Sequence, residues 1–382
     1  MPTFYEFFAG GGLARAGLGE GWECLFANDI DAKKGESYAL NWGSERLKIE
    51  DVAKLTTRDL PGHADLAWAS FPCQDLSLAG NYAGLKGQRS GTFWPFWRLV
   101  EALAEEGRPP TMVVIENVCG ALTSHGGKDF GSIADALAAG GYRFGAVVLD
   151  AVRFVPQSRP RLFLVAMRKE RAIPLSLVLP EAGPLWHPSN LVSAYEKLSE
   201  LSKDAWVWWR LPAPPARRLR FADVIDDEPV GVSWHPAVET QRLITLMSPL
   251  NRKKVELAMR MGKRVVGGIY KRTRKDENGK RVQRAEVRFD DVAGCLRTPA
   301  GGSSRQIIMI VEGQKVRTRL LAPCEAARLM GLPMTYKLPA NYNDAYHLVG
   351  DGVVVPVVRF LAEHLLEPLL AGGAESGQKE AA

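Results

Sequence analysis

The chain has 382 residues, 46% of them hydrophobic and 24% charged, which is enough to bury a full core and more than one average domain, so two unequal domains are expected. No apolar run reaches membrane-spanning length, and the amino terminus Met-Pro-Thr-Phe-Tyr-Glu lacks the basic flank and cleavage site of a secretory signal; a cytosolic protein with no membrane contact is expected. Five cysteines (Cys24, Cys73, Cys119, Cys295, Cys324) are odd in number, widely spaced and never in a C-x-x-C pair, and six histidines are scattered, so neither a disulfide framework nor a structural metal is expected.

Apolar, β-rich runs recur along the first part of the chain at 3–9, 23–28, 64–70, 111–116, 144–149 and 161–167, with helical patterns at 13–20, 31–41, 93–105 and 131–139 between them. Strand alternating with helix predicts a largely parallel sheet. From about residue 174 to 316 the pattern breaks into Pro-rich and Trp-rich segments, including Trp206-Val-Trp-Trp-Arg210 and Pro212-Ala-Pro-Pro215, which read as an irregular second domain. The tryptophans could stack on bases, although apolar packing is the better reading. Helical periodicity returns at 323–330 and at 353–370, where Val354, Val357, Val358, Leu361, Leu365 and Leu369 form a stripe; residues 371–382 read as a frayed polar tail.

Charge is concentrated. Between residues 251 and 288 fourteen Lys or Arg stand against four acids, a net +10 in a chain whose total is +6, so everything else sums to −4. So dense a run is a candidate footprint for nucleic-acid phosphates, with a merely solvated face as the alternative.

Several strand ends carry chemistry. In a doubly wound sheet ligands collect outside the carboxyl ends of the strands. Phe8-Ala-Gly-Gly-Gly12 follows the first strand, where glycines permit a tight turn and close approach of a ligand. Asp29 follows the second strand and Asp51 the Ile49-Glu50 stretch; each suits a ribose hydroxyl, or equally a helix cap. Phe71-Pro72-Cys73-Gln74 ends the 64–70 run, and because Pro72 donates no ladder hydrogen bond the thiol of Cys73 starts a loop, as an attacking side chain or as an inert buried one. Glu116, after four apolar residues, is expected in an apolar crevice that favours its neutral form and could donate to a base nitrogen, or cap a neighbouring helix. Arg159 and Arg161 in Gln157-Ser-Arg-Pro-Arg161 are two apart, which on a strand puts both guanidinium groups on one face, for a phosphate and a base carbonyl or for structural ion pairs.

Taken in order, these motifs resemble the DNA (cytosine-5)-methyltransferases that use S-adenosylmethionine. The likeness rests on Phe8–Gly12, Asn28-Asp29-Ile30-Asp31, Phe71-Pro-Cys-Gln-Asp-Leu-Ser77, Glu116-Asn117-Val118, Gln157-x-Arg159-x-Arg161 and Arg319-Leu-Leu-Ala-Pro-Cys-Glu-Ala-Ala-Arg-Leu-Met-Gly-Leu-Pro333, and covers most of the chain. One motif departs: Gly350-Asp351-Gly352-Val353 stands where the family usually has Gly-Asn-x-Val, which puts the details of a cofactor contact at Asp351 in doubt. The resemblance implies an α/β fold, a doubly wound, mostly parallel Rossmann-like methyltransferase sheet over 1–173, a smaller irregular target recognition domain over 174–318, and late motifs and a helix returning to the catalytic domain over 319–382. It implies Cys73, Glu116, Arg159 and Arg161 as catalytic residues. For S-adenosyl-L-methionine, leaving as S-adenosyl-L-homocysteine, it implies Phe8, Gly10, Gly11, Gly12, Asp29, Ile30, Asp51, Val52, Pro72, Asp351 and Val353. For double-stranded DNA it implies Ser77, Arg89, Arg272, Arg274 and Arg305. A monomer with no metal is expected, alone or beside a cognate restriction endonuclease and associated with the nucleoid. A tRNA cytosine-5 methyltransferase of the same architecture, and a binder that no longer catalyses, are the alternatives.

Overall fold

The computed structural model describes residues 1–72, 91–275, 279–296 and 305–375. The six apolar runs become strands, and a short seventh joins them: β1 (Thr3–Phe7), β2 (Glu23–Asp29), β3 (Leu47–Ile49), β4 (Leu66–Ala69), β5 (Met112–Val118), β6 (Tyr142–Asp150) and β7 (Pro160–Arg168). They form one sheet in the order β3-β2-β1-β4-β5-β7-β6. From β3 to β5 all neighbours are parallel, and β7 runs antiparallel to both β5 and β6. The expected mostly parallel, doubly wound sheet is therefore present, with one reversed strand. Strands buried on both faces read as continuous apolar runs, and Leu66-Ala-Trp-Ala69 of β4 is wholly buried.

Helices α1 (Leu13–Leu18), α2 (Ala32–Trp42), α3 (Phe93–Glu105) and α4 (Lys128–Ala139) connect the strands. Asp31 starts α2 by accepting from the backbone N–H groups of Lys33 and Lys34, satisfying donors that no helical carbonyl reaches. α3 has the expected span of 93–105 and buries Phe93, Phe96, Trp97, Val100 and Leu103 on one face.

The chain divides into two compact units, residues 1–150, 160–214 and 357–382 in the first and 151–159 and 215–356 in the second. These bounds differ from the expected breaks at 173/174 and 318/319. Segment 174–214, containing β8 (Val178–Leu179), α5 (Ser189–Glu196), α6 (Glu200–Asp204) and β9 (Trp208–Trp209), belongs with the large sheet. The reason is packing along β6. The Phe144 N–H donates to Ala205 O at 2.9 Å, Val207 N–H donates to Phe144 O at 2.7 Å, and the indole N–H of fully buried Trp209 donates to Val165 O at 3.1 Å. Gly145 makes room for this, since a Cβ there would stand 1.8 Å from Val207 O. Trp209 is thus a core residue, and partly buried Trp206 packs against the large core.

The second unit is more regular than expected. α7 (Ala237–Thr245) and α8 (Pro249–Arg260) are followed by an antiparallel sheet, β11-β10-β12-β13, built from β10 (Arg264–Lys275), β11 (Arg281–Arg288), β12 (Ile307–Glu312) and β13 (Lys315–Leu320). Its core gathers Leu243 and Met247, Val255 and Ala258, Ile269, Ala285, Val287, Met309 and Val311. Next come α9 (Pro323–Leu329) and α10 (Tyr342–Asp351). The predicted terminal helix is α11 (Val355–Leu361), a π turn (Ala362–Leu366) and α12 (Glu367–Glu375), with all six residues of the predicted stripe buried. The expected tail is helical as far as Glu375. No helix among the described residues is long and apolar enough to cross a membrane.

Candidate active site

β1 and β4 are neighbours, and β2 lies on the other side of β1, so strand order reverses beside β1, where open α/β sheets form their crevice. The glycine turn follows β1. Phe8, Gly10 and Gly12 take φ of 57°, 55° and 76°, a left-handed path for which glycine is the low-cost residue. Gly10 N–H donates to Asp29 Oδ2 at 2.8 Å and Asp31 N–H to Asp29 Oδ1 at 2.9 Å, so this carboxylate fastens the turn to the end of β2. The glycines have different tasks. A Cβ at Gly12 would meet Trp42 Nε1 at 2.4 Å, whereas one at Gly10 would meet nothing within 4 Å, leaving that backbone open.

Around this opening Ile30 is 68% exposed, although it follows a buried strand end. The Phe8 ring meets Phe71 edge-on at 6.1 Å, Val52 is buried, and Asp51 Oδ1 accepts from Ala53 N–H at 2.9 Å, capping a short 3-10 turn. An open backbone, an exposed apolar side chain and two carboxylates fit a ligand that combines an aromatic ring with sugar hydroxyls. Beneath the turn lies a group that sequence reading passed over. Glu6 is 1% exposed and its Oε1 accepts from Arg15 N–H at 3.3 Å; burial pushes its pKa up to about 8. Arg15 in turn donates to the Tyr38 hydroxyl at 3.0 Å. One charged residue inside Phe4-Tyr-Glu-Phe-Phe8 was the available signal.

At the end of β4 Phe71 is buried and Pro72 exposed. Asn117 Nδ2 donates to Phe71 O at 3.1 Å, which ties β5 to the chain just ahead of the expected nucleophile. Cys73, Ser77 and Arg89 lie outside the described residues, as does most of loop 74–92. In β5 Glu116 is 7% exposed and pairs through Oε1 with Arg161 Nε at 3.1 Å. The register explains the meeting: β5 and β7 are antiparallel, with Val118 opposite Arg161. A guanidinium therefore accompanies the acid at this strand end. Half-buried Cys119 follows; burial pushes its thiol pKa up, against the pull of the Arg161 charge.

Arg159 does not share a strand face with Arg161, because β7 begins at Pro160 and residue 159 belongs to the second unit. It is 2% exposed and donates to Leu296 O at 3.0 Å and to Gly350 O and Gly352 O at 2.8 Å each, with Cys295 Sγ at 3.2 Å. Those carbonyls flank Asp351, the exposed last residue of α10, and precede buried Val353, so within this unit Arg159 holds the shape of that turn. Gln157 is locked likewise, accepting from Leu296 N–H at 3.1 Å and donating to Leu329 O at 2.8 Å. Arg305 lies 5.2 Å over the Tyr342 ring, and Arg272 and Arg274 share one acid, Glu286.

A family profile described as C-5 cytosine-specific DNA methylase matches residues 2–367. Type II methyltransferase M.HhaI of Haemophilus parahaemolyticus is 24% identical over 364 residues, 95% of this chain and 93% of that protein. Type II methyltransferase M.NlaX of Neisseria lactamica is 26% identical over 378 residues, 97% and 98% of the two chains. Among solved structures the S. pombe Dnmt2 methyltransferase has a TM-score of 0.58 at 19% identity, covering 97% of this chain and 99% of that one. The Entamoeba histolytica methyltransferase EhMeth has 0.58 at 15%, covering 97% and 99%. These two show a common fold. The profile, spanning both sheets and every motif from the glycine turn to the last helix, shows that the chain belongs to the C-5 cytosine-specific DNA methylases, enzymes of cytosine methylation.

Proposed function

We propose that this protein transfers the methyl group of S-adenosylmethionine to carbon 5 of a cytosine rotated out of a specific double-stranded DNA sequence, through a covalent adduct with Cys73. The observation that carries the reading is the Glu116–Arg161 pair, an acid and a guanidinium held 3.1 Å apart at adjoining strand ends. Asn117 fastens the same strand to the residues leading into Cys73.

The methyl donor, when bound, supplies an electrophilic methyl group on sulfur. Phe8, Gly10, Gly11, Gly12, Asp29, Ile30, Asp51, Val52 and Pro72 would hold it, with Asp351 and Val353 of the late motif. Asp29 and Asp51 would accept from its ribose hydroxyls, and exposed Ile30 would meet its adenine ring. Cys73 adds as thiolate to carbon 6 of cytosine while Glu116 hydrogen-bonds ring N3 and Arg161 the base carbonyl, which makes carbon 5 nucleophilic. Once carbon 5 has taken the methyl group that the donor would supply, loss of its proton to water returns the ring electrons and expels Cys73 as the thiolate. The base must leave the stack first, at a cost of roughly a few kcal/mol. Arg159 is a positioning residue that sets the turn around Asp351.

Ser77, Arg89, Arg272, Arg274 and Arg305 contact DNA in this reading, with residues 215–318 serving target recognition. The protein acts as a monomer on chromosomal DNA, and since its relatives are named Type II methyltransferases, a companion restriction endonuclease would share its target. Incubation with labelled S-adenosylmethionine and either duplex DNA or tRNA tests the substrate; label on DNA is expected, and label on tRNA alone would overturn the reading. A duplex carrying 5-fluorocytosine should become covalently attached at Cys73, and bisulfite sequencing of DNA from expressing cells should give the target sequence.

A further inference from the structure

The β10–β11 hairpin has two unlike faces. Register pairs Ile269 with Val287 and Lys271 with Ala285 on one side, where Ile269, Ala285 and Val287 join the core beside α7 and α8. On the other side Tyr270 pairs with Glu286, Arg272 with Arg284 and Arg274 with Val282. Like charges directly opposite repel, and this face sets Arg272 against Arg284 with Arg274 next along. Glu286 serves two of them: its Oε1 takes Arg274 Nη2 at 2.6 Å and Nε at 2.7 Å, and its Oε2 lies 3.5 Å from Arg272 Nε.

The geometry of this sharing is informative. Arg274 stands four residues along β10 from Tyr270, the register partner of Glu286, so its side chain is laid back along the sheet to reach the acid. Arg272 lies back too, 5.8 Å over the Tyr270 ring. Both arginine side chains remain about half exposed, at 53% and 51%, where an ion pair contributes little to stability. What the pair does set is the charge this face shows and the direction its arginines point. A guanidinium fork fits a phosphate as it fits a carboxylate, so an incoming backbone phosphate competes for the same donors.

We propose that Glu286 is an internal stand-in for a DNA phosphate: it holds Arg272 and Arg274 on the sheet, weakens the attraction of the hairpin for arbitrary duplex, and yields them when the target sequence is engaged. This rests on the reading that the hairpin contacts DNA. Specificity is a difference of affinities, and a group that opposes the wrong complex raises it as effectively as one that favours the right complex. Sequence-independent binding comes mainly from phosphate neutralisation, so removing the acid should strengthen that component most.

The test compares the parent, Glu286→Gln, Glu286→Asp and the double variant Arg272→Gln/Arg274→Gln. Each is titrated by fluorescence anisotropy against a random-sequence duplex and the duplex that the enzyme methylates in cells, over about 50 to 200 mM salt. Glu286→Gln should bind the random duplex roughly five- to tenfold more tightly, gain less on the target duplex, and show the steeper salt dependence expected of more phosphate contacts. Glu286→Asp should follow the parent. Random-duplex affinity unchanged in Glu286→Gln while the double variant loses binding would overturn the role given to Glu286. A double variant that binds both duplexes as the parent does, with the same salt slope, would instead overturn the DNA-contact reading itself.

Discussion

β4 and β5 of the large sheet bury nearly every residue, and their polar or turn-forming residues come only where they end, at Pro72 and at Glu116-Asn117. The β10–β11 hairpin does the reverse, carrying arginines and lysines along its outer half with no strand end singled out. The contrast matches the work proposed for each surface. Bond-making needs a few atoms held precisely, and a buried sheet supplies that at the ends of its strands. Attraction to a polyanion needs many charges held loosely, and an exposed ribbon supplies them in a row. Single substitutions should therefore be severe at the first and graded at the second.

The severest test falls on the ion pair. Glu116→Gln should lower kcat by about a thousandfold at saturating DNA, as loss of a positioned acid–base group does, with DNA affinity nearly unchanged. Arg161→Ala should also be severe, and because the two side chains touch, the double variant should be far milder than the product of the single losses. Steady-state kinetics check both points. Multiplicative losses would show two independent groups and break the picture of one assembled strand-end site.

Next is Glu6, which tests whether the large sheet stays rigid below its glycine turn. Its pKa is raised from 4.5 to about 8 mainly by burial, with Asp29 adding to the rise, and the Arg15 N–H and charge and the Tyr38 hydroxyl opposing it. The carboxyl is thus favoured neutral in the folded protein. Its contribution to stability is fully present below pH 4.5 and is lost as pH rises to about 8, where the folded protein must also ionise it. A tenfold difference in proton affinity between the folded and unfolded chain is worth about 1.4 kcal/mol, so the loss reaches roughly 5 kcal/mol at most. Glu6→Gln should flatten the fall of Tm between pH 5 and pH 8, and a fall as steep as the parent's would show that another group titrates there.

Much of the large sheet was legible because its strands are apolar on both faces and α3 has a clean amphipathic repeat. β3 is only three residues long and left no pattern. The hairpin escaped notice because its outer half replaces alternating apolar residues with Arg and Lys, leaving strand and solvated loop alike in sequence. Of the site, Glu116 and Arg161 announced themselves by their place beside apolar runs, and the structure pairs them. Arg159 was legible as a motif residue but not in its contacts, since its partners Leu296, Gly350 and Gly352 lie far along the chain and meet it only through folding. The compact units differ from the expected break at 173/174 for a related reason: 205–209 reads as an irregular Trp-rich stretch until Gly145 is seen to leave space for its backbone.

That packing can be broken directly. Gly145→Ala would press a methyl group to within 1.8 Å of Val207 O and 2.9 Å of Trp209 Nε1. The backbone contact cannot relax by rotating a side chain, so a destabilisation of about 3 kcal/mol is expected, read as a lowered midpoint in denaturant. Trp209→Phe, which leaves Val165 O without its donor, should cost about 1 to 3 kcal/mol. If Gly145→Ala were neutral, segment 205–209 would not be docked on β6, and the boundary of the second unit would return towards residue 174.

The smallest effect is expected at the hairpin, where it is also the most diagnostic. Arg272→Gln with Arg274→Gln removes two of the fourteen positive residues between 251 and 288, so on the target duplex the exponent of the salt dependence should fall by about 1.8, close to 0.9 per phosphate contact. Affinity at moderate salt should drop about tenfold, while kcat at saturating DNA stays near the parent value, because neither residue touches the reacting atoms. A large loss of kcat would mean that the hairpin sets the position of the target base as well as holding the duplex. The division between precise strand ends and a diffuse charged ribbon would then fail, since chemistry would depend on the ribbon's arginines as well as on the strand ends.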